Sequence, residues 1–204
     1  MAMPVKYPLL SLSRLRMEVD GDGVTTLVAG AGCPLSCRWC INRKVLRQTP
    51  TWVTPEELYE RTRIDDLYFR ATGGGLSFGG GESLLHTAFY SAFRGLCPDW
   101  RLLAETSLNV PRKAVEEAAD TLDAFLVDIK THIPAIYRAY TGGELSPAWE
   151  NLKWLLANFD PDRVTVRVPQ IPEYSTEAEQ KKTAEAVKDL GAIHIDTFSY
   201  VIRT

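Results

Sequence analysis

The sequence predicts an α/β fold, a partial (β/α)6 barrel with parallel strands. Three observations predict it. Short apolar, β-branched runs alternate with capped helical segments along the chain; the alternation repeats six times; and polar residues of chemical character recur where the strands end. Such alternation implies a parallel sheet covered by helices, either an open doubly wound sheet or a barrel. A complete eight-fold barrel needs about 250 residues. Six strands in a chain of 204 therefore point to a barrel that is partial and splayed.

Each element follows from local chemistry. VTTLVAG at 24–30 is β-branched and apolar, the pattern of a first strand. Thr54-Pro55-Glu56-Glu57 is a capping box with proline in the first turn, opening a helix to about Arg63. Leu76–Phe78 is a short strand and Leu84–Arg94 is helical. Arg101–Ser107 is the third strand, and Pro111 starts a helix that ends near Leu122. Ala124–Lys130 is a buried fourth strand, followed by helices near Pro134–Tyr140 and Pro147–Asn158. Arg163–Val168 is the fifth strand. Thr176-Glu177-Ala178-Glu179 is a second capping box, whose helix stops at Gly191. Ile193–Val201 is the sixth strand. The chain is read as one domain over 1–204, with an N-terminal extension at 1–20.

Composition excludes several function classes. Hydrophobic residues make up 45% and charged residues 24%, ordinary for a globular protein. The net charge is −3, so no basic surface advertises nucleic acid. No apolar run approaches the roughly 20 residues that span a bilayer, so no membrane partner is expected. MAMPVKYPLL lacks the pattern of a signal peptide, and a cytoplasmic location is expected.

The four cysteines carry the strongest signal. Cys33, Cys37 and Cys40 fall within eight residues on the loop after the first strand, and Cys97 lies far along the chain. In a reducing compartment such a cluster reads as metal ligation rather than disulfides. Three thiolates at gaps of three and two residues can surround one corner of a 4Fe–4S cubane and leave one iron open. Zinc would want a second ligand pair, which the chain lacks, because His86, His132 and His194 are scattered singly. Structural cysteines clustered by chance are the remaining alternative. The glycines at 73–75 and 79–81 are not a phosphate loop, since no Lys-Ser or Lys-Thr follows them. Asp128 and Lys130 share one strand face and form either a ligand site or a structural ion pair. Arg167, within a β-branched strand, either meets a ligand carboxylate or pairs with a core acid. Cys97, before Pro98, reads as a small buried residue. The histidines have no assigned role, and Tyr137 and Tyr140 read as packing.

These motifs together resemble the radical S-adenosylmethionine superfamily. Cys33-Pro-Leu-Ser-Cys37-Arg-Trp-Cys40 matches its C-x-x-x-C-x-aromatic-C signature. The Gly80-Gly81-Glu82 run, Glu105-Thr106-Ser107, Asp128-Ile-Lys130 and Arg167-Val-Pro-Gln-Ile-Pro172 follow in the order seen in glycyl-radical-enzyme activating enzymes. The resemblance covers about Asp20 to Thr204. It implies that 31–42 is a cluster-binding loop, with Cys33, Cys37 and Cys40 on a 4Fe–4S cluster. It implies that Trp39, Gly80, Gly81, Glu82, Lys130 and Arg167 contact S-adenosylmethionine. It places Glu105, Thr106 and Asp128 around a monovalent cation, Na or K, beside that cofactor. The implied reaction is reductive cleavage of S-adenosylmethionine to a 5′-deoxyadenosyl radical, which removes a glycine α-hydrogen from a partner glycyl radical enzyme. A flavodoxin- or ferredoxin-type protein is the implied electron donor. The rival readings are a radical enzyme acting on another peptide or a small molecule, and a non-catalytic metal-binding protein.

The chain also departs from the pattern. Gly21-Asp-Gly-Val-Thr25 stands where the family has G-P-G-[IV]-R, and Ser83 replaces a proline. Glu173 and Ser175-Thr176 replace the family's Gly and Asn-Asp. These changes spare the cluster and cofactor motifs and bear instead on partner recognition.

Overall fold

A computed structural model of the chain describes residues 5–17 and 19–200. The elements in chain order are β1 (Tyr7–Met17), β2 (Val24–Gly30), β3 (Thr51–Val53), α1 (Pro55–Thr62), α2 (Asp66–Thr72), β4 (Gly75–Gly80), α3 (Thr87–Arg94) and β5 (Arg101–Thr106). They continue as α4 (Arg112–Ala119), β6 (Ala124–Asp128), α5 (Pro134–Thr141), α6 (Leu145–Asn158), β7 (Val164–Gln170), α7 (Glu177–Asp189) and β8 (His194–Ser199).

The six expected strands lie side by side in chain order, β2-β4-β5-β6-β7-β8, and every pairing among them is parallel. A doubly wound sheet would reverse direction at a switch point. Unbroken order with crossovers of one hand instead puts the helices on one face, the arrangement that curls toward a barrel. The sheet stays open. The part of the expected last strand at Val201 lies outside the described residues.

Two strands extend the expected set. β1, from the segment read as an extension, pairs antiparallel with β2 and β3. Its sequence YPLLSLSRLRM hides the strand because basic residues interrupt the alternation. One extra β1 residue sits between the Ser13 and Arg16 pairings, and Leu15 there has φ +55°, a bulge that re-aims the strand end. α2 was also not foreseen. It is a seven-residue helix closed by Gly73 in the left-handed conformation. Both predicted capping boxes form, at Thr54/Glu57 and Thr176/Glu179.

Alternation along the strands separates two interiors. Leu76, Phe78, Leu102, Ala104, Phe125, Val127, Val164 and Val166 point one way and join the main core beneath the helices. Leu103, Ala124 and Leu126 point the other way and form a small separate apolar cluster. By the same alternation Glu105, Asp128 and Arg167 share this second face, one pleat nearer the strands' C-terminal ends.

Candidate active site

The loop that leaves β2 carries the three clustered cysteines and is clamped from two sides. Amides of Ser36 and Arg38 donate to the carbonyls of Thr141 and Tyr140, at 2.8 and 2.9 Å. These acceptors belong to the last turn of α5, whose carbonyls have no partner within the helix. On the other side Asn42 Nδ2 donates to the Gly80 carbonyl at 2.8 Å. The Arg43 guanidinium closes the loop on itself, donating to the Cys37 and Arg38 carbonyls, each at 2.7 Å.

β4 ends at this loop, and its glycines are required there. Gly80 has φ +87°, and a Cβ on Gly81 would collide with the Gly32 carbonyl oxygen. The close approach lets the Gly81 and Glu82 amides donate to the Gly30 and Gly32 carbonyls, at 3.0 and 2.8 Å. Glu82 follows, only 2% exposed. Its carboxylate accepts from Thr106 Oγ1 (2.5 Å), from Ser107 Oγ (2.6 Å) and from the amides of Ser107 (2.9 Å) and Leu84 (3.2 Å). Burial pushes its carboxyl up, and these four donors oppose that push. The carboxylate thus ties the end of β4 to the end of β5.

The inward-facing charges form one network. Arg167 donates to Asp128 Oδ1 and to Glu105 Oε2, both at 3.1 Å. Lys130 Nζ lies 3.4 Å from Asp128 Oδ2 and donates to the Tyr200 hydroxyl at 2.9 Å. Burial alone would raise the Asp128 carboxyl, but Lys130 and Arg167 outweigh it and hold the group below the usual range. For Glu105 burial wins over Arg167, and its carboxyl is pushed up. Of the two readings left open for Asp128–Lys130 and for Arg167, the ion pairs are present. They also sit at a cavity wall, so pairing and ligand contact are compatible.

That cavity has a volume of about 310 Å³. Cys33, Cys37 and Cys40 line it, as do Trp39, Gly80, Gly81, Glu82, Glu105, Thr106, Asp128, Lys130 and Arg167. Every residue that the resemblance placed at the cofactor site therefore reaches one place, spread over four strand ends and the cysteine loop. Arg16, Asp20, Asn42, Tyr140 and Tyr200 also line it and were not foreseen. Arg16 arrives through the β1 bulge and pairs with Asp20 at 2.5 Å. Only Asn42, two residues after Cys40, offered a positional signal. Cys97 lies elsewhere, buried, its thiol pushed up to about 12 by burial.

The residues present fit an iron–sulfur cubane with a bound organic cofactor. All four cysteines are free thiols. Burial raises Cys33, and raises Cys37 to about 11, and binding of the sulfurs to iron would favour their thiolate forms. Among the described residues no three His, Cys, Asp or Glu side chains are gathered as for a single metal ion. A cubane asks for a different spacing, because its three cysteines bind three different irons. The Trp39 indole Nε1 is buried without a hydrogen-bond partner among the described residues, an open donor in a residue that lines the cavity.

Fold and site define an α/β protein with its chemistry at the C-terminal edge of a parallel sheet, next to a three-cysteine loop. Residues 27–196 match the radical SAM superfamily, and the chain belongs to that superfamily, which implies a 4Fe–4S cluster and S-adenosylmethionine. The chain is 26% identical to pyruvate formate-lyase 2-activating enzyme of Escherichia coli (strain K12), over 81% of this chain and 67% of that protein. It is 33% identical to pyruvate formate-lyase-activating enzyme of Clostridium pasteurianum, over 61% and 53%. It is 22% identical to (2S)-3-sulfopropanediol sulfolyase activating enzyme of Bilophila wadsworthia, over 89% and 81%. The share of these relatives' own length that the chain spans thus runs from about half to four fifths. Among solved structures, Streptococcus suis SuiB superposes with a TM-score of 0.66 at 12% identity, over 87% of this chain and 40% of that one. TYW1 superposes with a TM-score of 0.59 at 15% identity, over 87% and 65%. These two share the fold. Among the described residues no helix is long and apolar enough to cross a membrane.

Proposed function

We propose that this protein activates a glycyl radical enzyme, using S-adenosylmethionine as the source of an organic radical. The observation that carries the proposal is the convergence of all the motif residues on one cavity. The activating enzymes among its relatives support the choice of substrate.

When bound, the cluster and S-adenosylmethionine supply the chemistry, a one-electron cleavage of the S–C5′ bond to a 5′-deoxyadenosyl radical. The chain's own residues do the holding. Cys33, Cys37 and Cys40 would hold the cluster, and three ligands would leave it able to bind the cofactor's amino and carboxylate groups. Lys130 and Arg167, both on the cavity wall, would hold the carboxylate. Gly80 and Gly81 keep the backbone close to the methionine moiety, and Glu82 holds the turn and offers an acceptor for the ammonium. Trp39, its indole donor open among the described residues, would hold the adenine. Glu105, Thr106 and Asp128 supply oxygens for a monovalent cation, Na or K. The electron comes from a flavodoxin- or ferredoxin-type protein.

The open side of the sheet admits a backbone loop, which a glycine α-hydrogen requires. Anaerobic mixing of reduced protein, S-adenosylmethionine and a candidate glycyl radical enzyme tests the reading by electron paramagnetic resonance. A persistent glycyl doublet on the partner is expected. Formation of 5′-deoxyadenosine with no protein radical on any such partner would favour another peptide or a small molecule as substrate.

A further inference from the structure

We propose that the outer face of the cysteine loop is a docking surface for an acidic one-electron carrier protein, centred on Arg38, Arg43, Lys44 and Arg47. The proposal rests on the reading above that the chain cleaves S-adenosylmethionine, and it adds where the electron enters.

The first observation is a charge island. The chain carries 26 acidic and 23 basic residues, yet none of the residues from 23 to 55 is acidic. The four cations of that stretch lie within ten residues, all exposed, immediately outside the cysteines. Among the described residues none of the four forms an ion pair, whereas most basic side chains elsewhere on the surface do. Like charges left unpaired together cost stability through mutual repulsion. An unpaired basic cluster beside the cysteine loop of a chain with net charge −3 complements an acidic partner.

The second observation is the geometry behind the island. Arg38 and Arg43 border an outer concavity of about 480 Å³, which Ser36, Tyr140 and Tyr174 also line. Tyr140 lines the inner cavity as well. Tyr140 is thus common to the outer concavity and to the cysteine site inside. Glu173 is the single acid on the outer rim. Electron-transfer encounters bury little area and are steered by charge rather than apolar packing. A shallow basic rim matches that requirement, where a stable complex would show an apolar centre. In the transfer the reduced carrier gives up one electron, the cluster-loaded protein accepts it, and no atom is exchanged.

Lys44 and Arg47 make the cleanest probes. Neither side chain holds the loop together, whereas Arg43 donates to the Cys37 and Arg38 carbonyls. The test uses cluster-loaded protein and the double variant Lys44→Glu/Arg47→Glu, with 5′-deoxyadenosine formation as readout. With dithionite as reductant the variant and the parent should give equal rates. With a reduced recombinant flavodoxin the variant's apparent KM for the carrier should rise at least ten-fold. Raising salt from about 50 to 300 mM should slow the parent several-fold and the variant much less. Equal carrier KM and equal salt dependence in the two proteins would overturn the proposal. So would a variant that cleaves the cofactor normally with flavodoxin but fails to activate the substrate enzyme, since the face would then be a substrate surface. Absence of cleavage with dithionite in the parent itself would instead refute the underlying function.

Discussion

Asn42 Nδ2 donates to the Gly80 carbonyl oxygen at 2.8 Å, joining the cysteine loop to the Gly-Gly-Glu turn. The two segments are 38 residues apart and would carry the two halves of one site, cluster and cofactor. This side-chain hydrogen bond acts with the Gly81 and Glu82 amides, which donate to the Gly30 and Gly32 carbonyls, to set their spacing. Replacing Asn42 by Ala should cost about 1 kcal/mol of stability, a fall of roughly 2–4 °C in melting temperature for a chain of this size. The apparent KM for S-adenosylmethionine should rise several-fold as well. A melting shift with an unchanged KM would confine Asn42 to a structural role.

The cysteines should divide three to one. Cys33→Ala, Cys37→Ala and Cys40→Ala should each lose most of the iron and sulfide after reconstitution, and all cofactor cleavage. Cys97→Ala should keep both, because Cys97 is buried away from the cavity. Iron analysis of the four variants measures this. Retention of the cluster in Cys40→Ala with its loss in Cys97→Ala would reassign the ligands.

Asp128 and Lys130 should behave differently from each other. Lys130→Ala removes a charge that faces the cavity, and loss of a charge-assisted hydrogen bond of roughly 1.5–3 kcal/mol weakens S-adenosylmethionine binding about ten- to a hundred-fold. Its melting temperature should move little. Asp128→Asn leaves Lys130 and Arg167 facing each other with only Glu105 to balance them. That variant should lose both affinity and stability. Calorimetric binding and thermal melts on the same samples separate the two effects.

Stability should also report on Asp65, far from the cluster. Hydrogen bonds from Arg14 hold its carboxyl below the ordinary range against the opposing effect of burial, and Thr26 adds a third donor. A depressed carboxylate stabilises the fold above the unfolded value of about 3.9, and this contribution is lost as pH falls through the folded value. Arg14→Leu should therefore lower the melting temperature at pH 7, modestly because the guanidinium is exposed to solvent. The gap from the parent should close below about pH 4. A gap that stays constant from pH 7 to pH 3 would place the effect in packing rather than charge.

Much of this architecture is legible in the chain. The parallel strands announce themselves because burial on both faces makes them runs such as VTTLVAG and AFLVD. The site residues announce themselves because they follow those runs. What escaped reading depends on partners distant in sequence. β1 is held by pairing with β2 and β3, not by its own pattern. Arg16 enters the cavity only through a bulge, and Tyr140 looks like packing until the cysteine loop is laid across the end of α5. Glu173 has a left-handed backbone, φ +69°, a conformation that suits glycine better, and sequence pattern alone is blind to that.

The most direct test of the proposed activity follows the hydrogen atom. The partner enzyme is prepared with deuterium at its glycine α-carbons and mixed anaerobically with reduced protein and S-adenosylmethionine. Mass spectrometry should find one deuterium in the 5′-deoxyadenosine, appearing in step with the glycyl radical signal. 5′-Deoxyadenosine that stays unlabelled while the radical accumulates, or that takes its label from a small molecule instead, would contradict it.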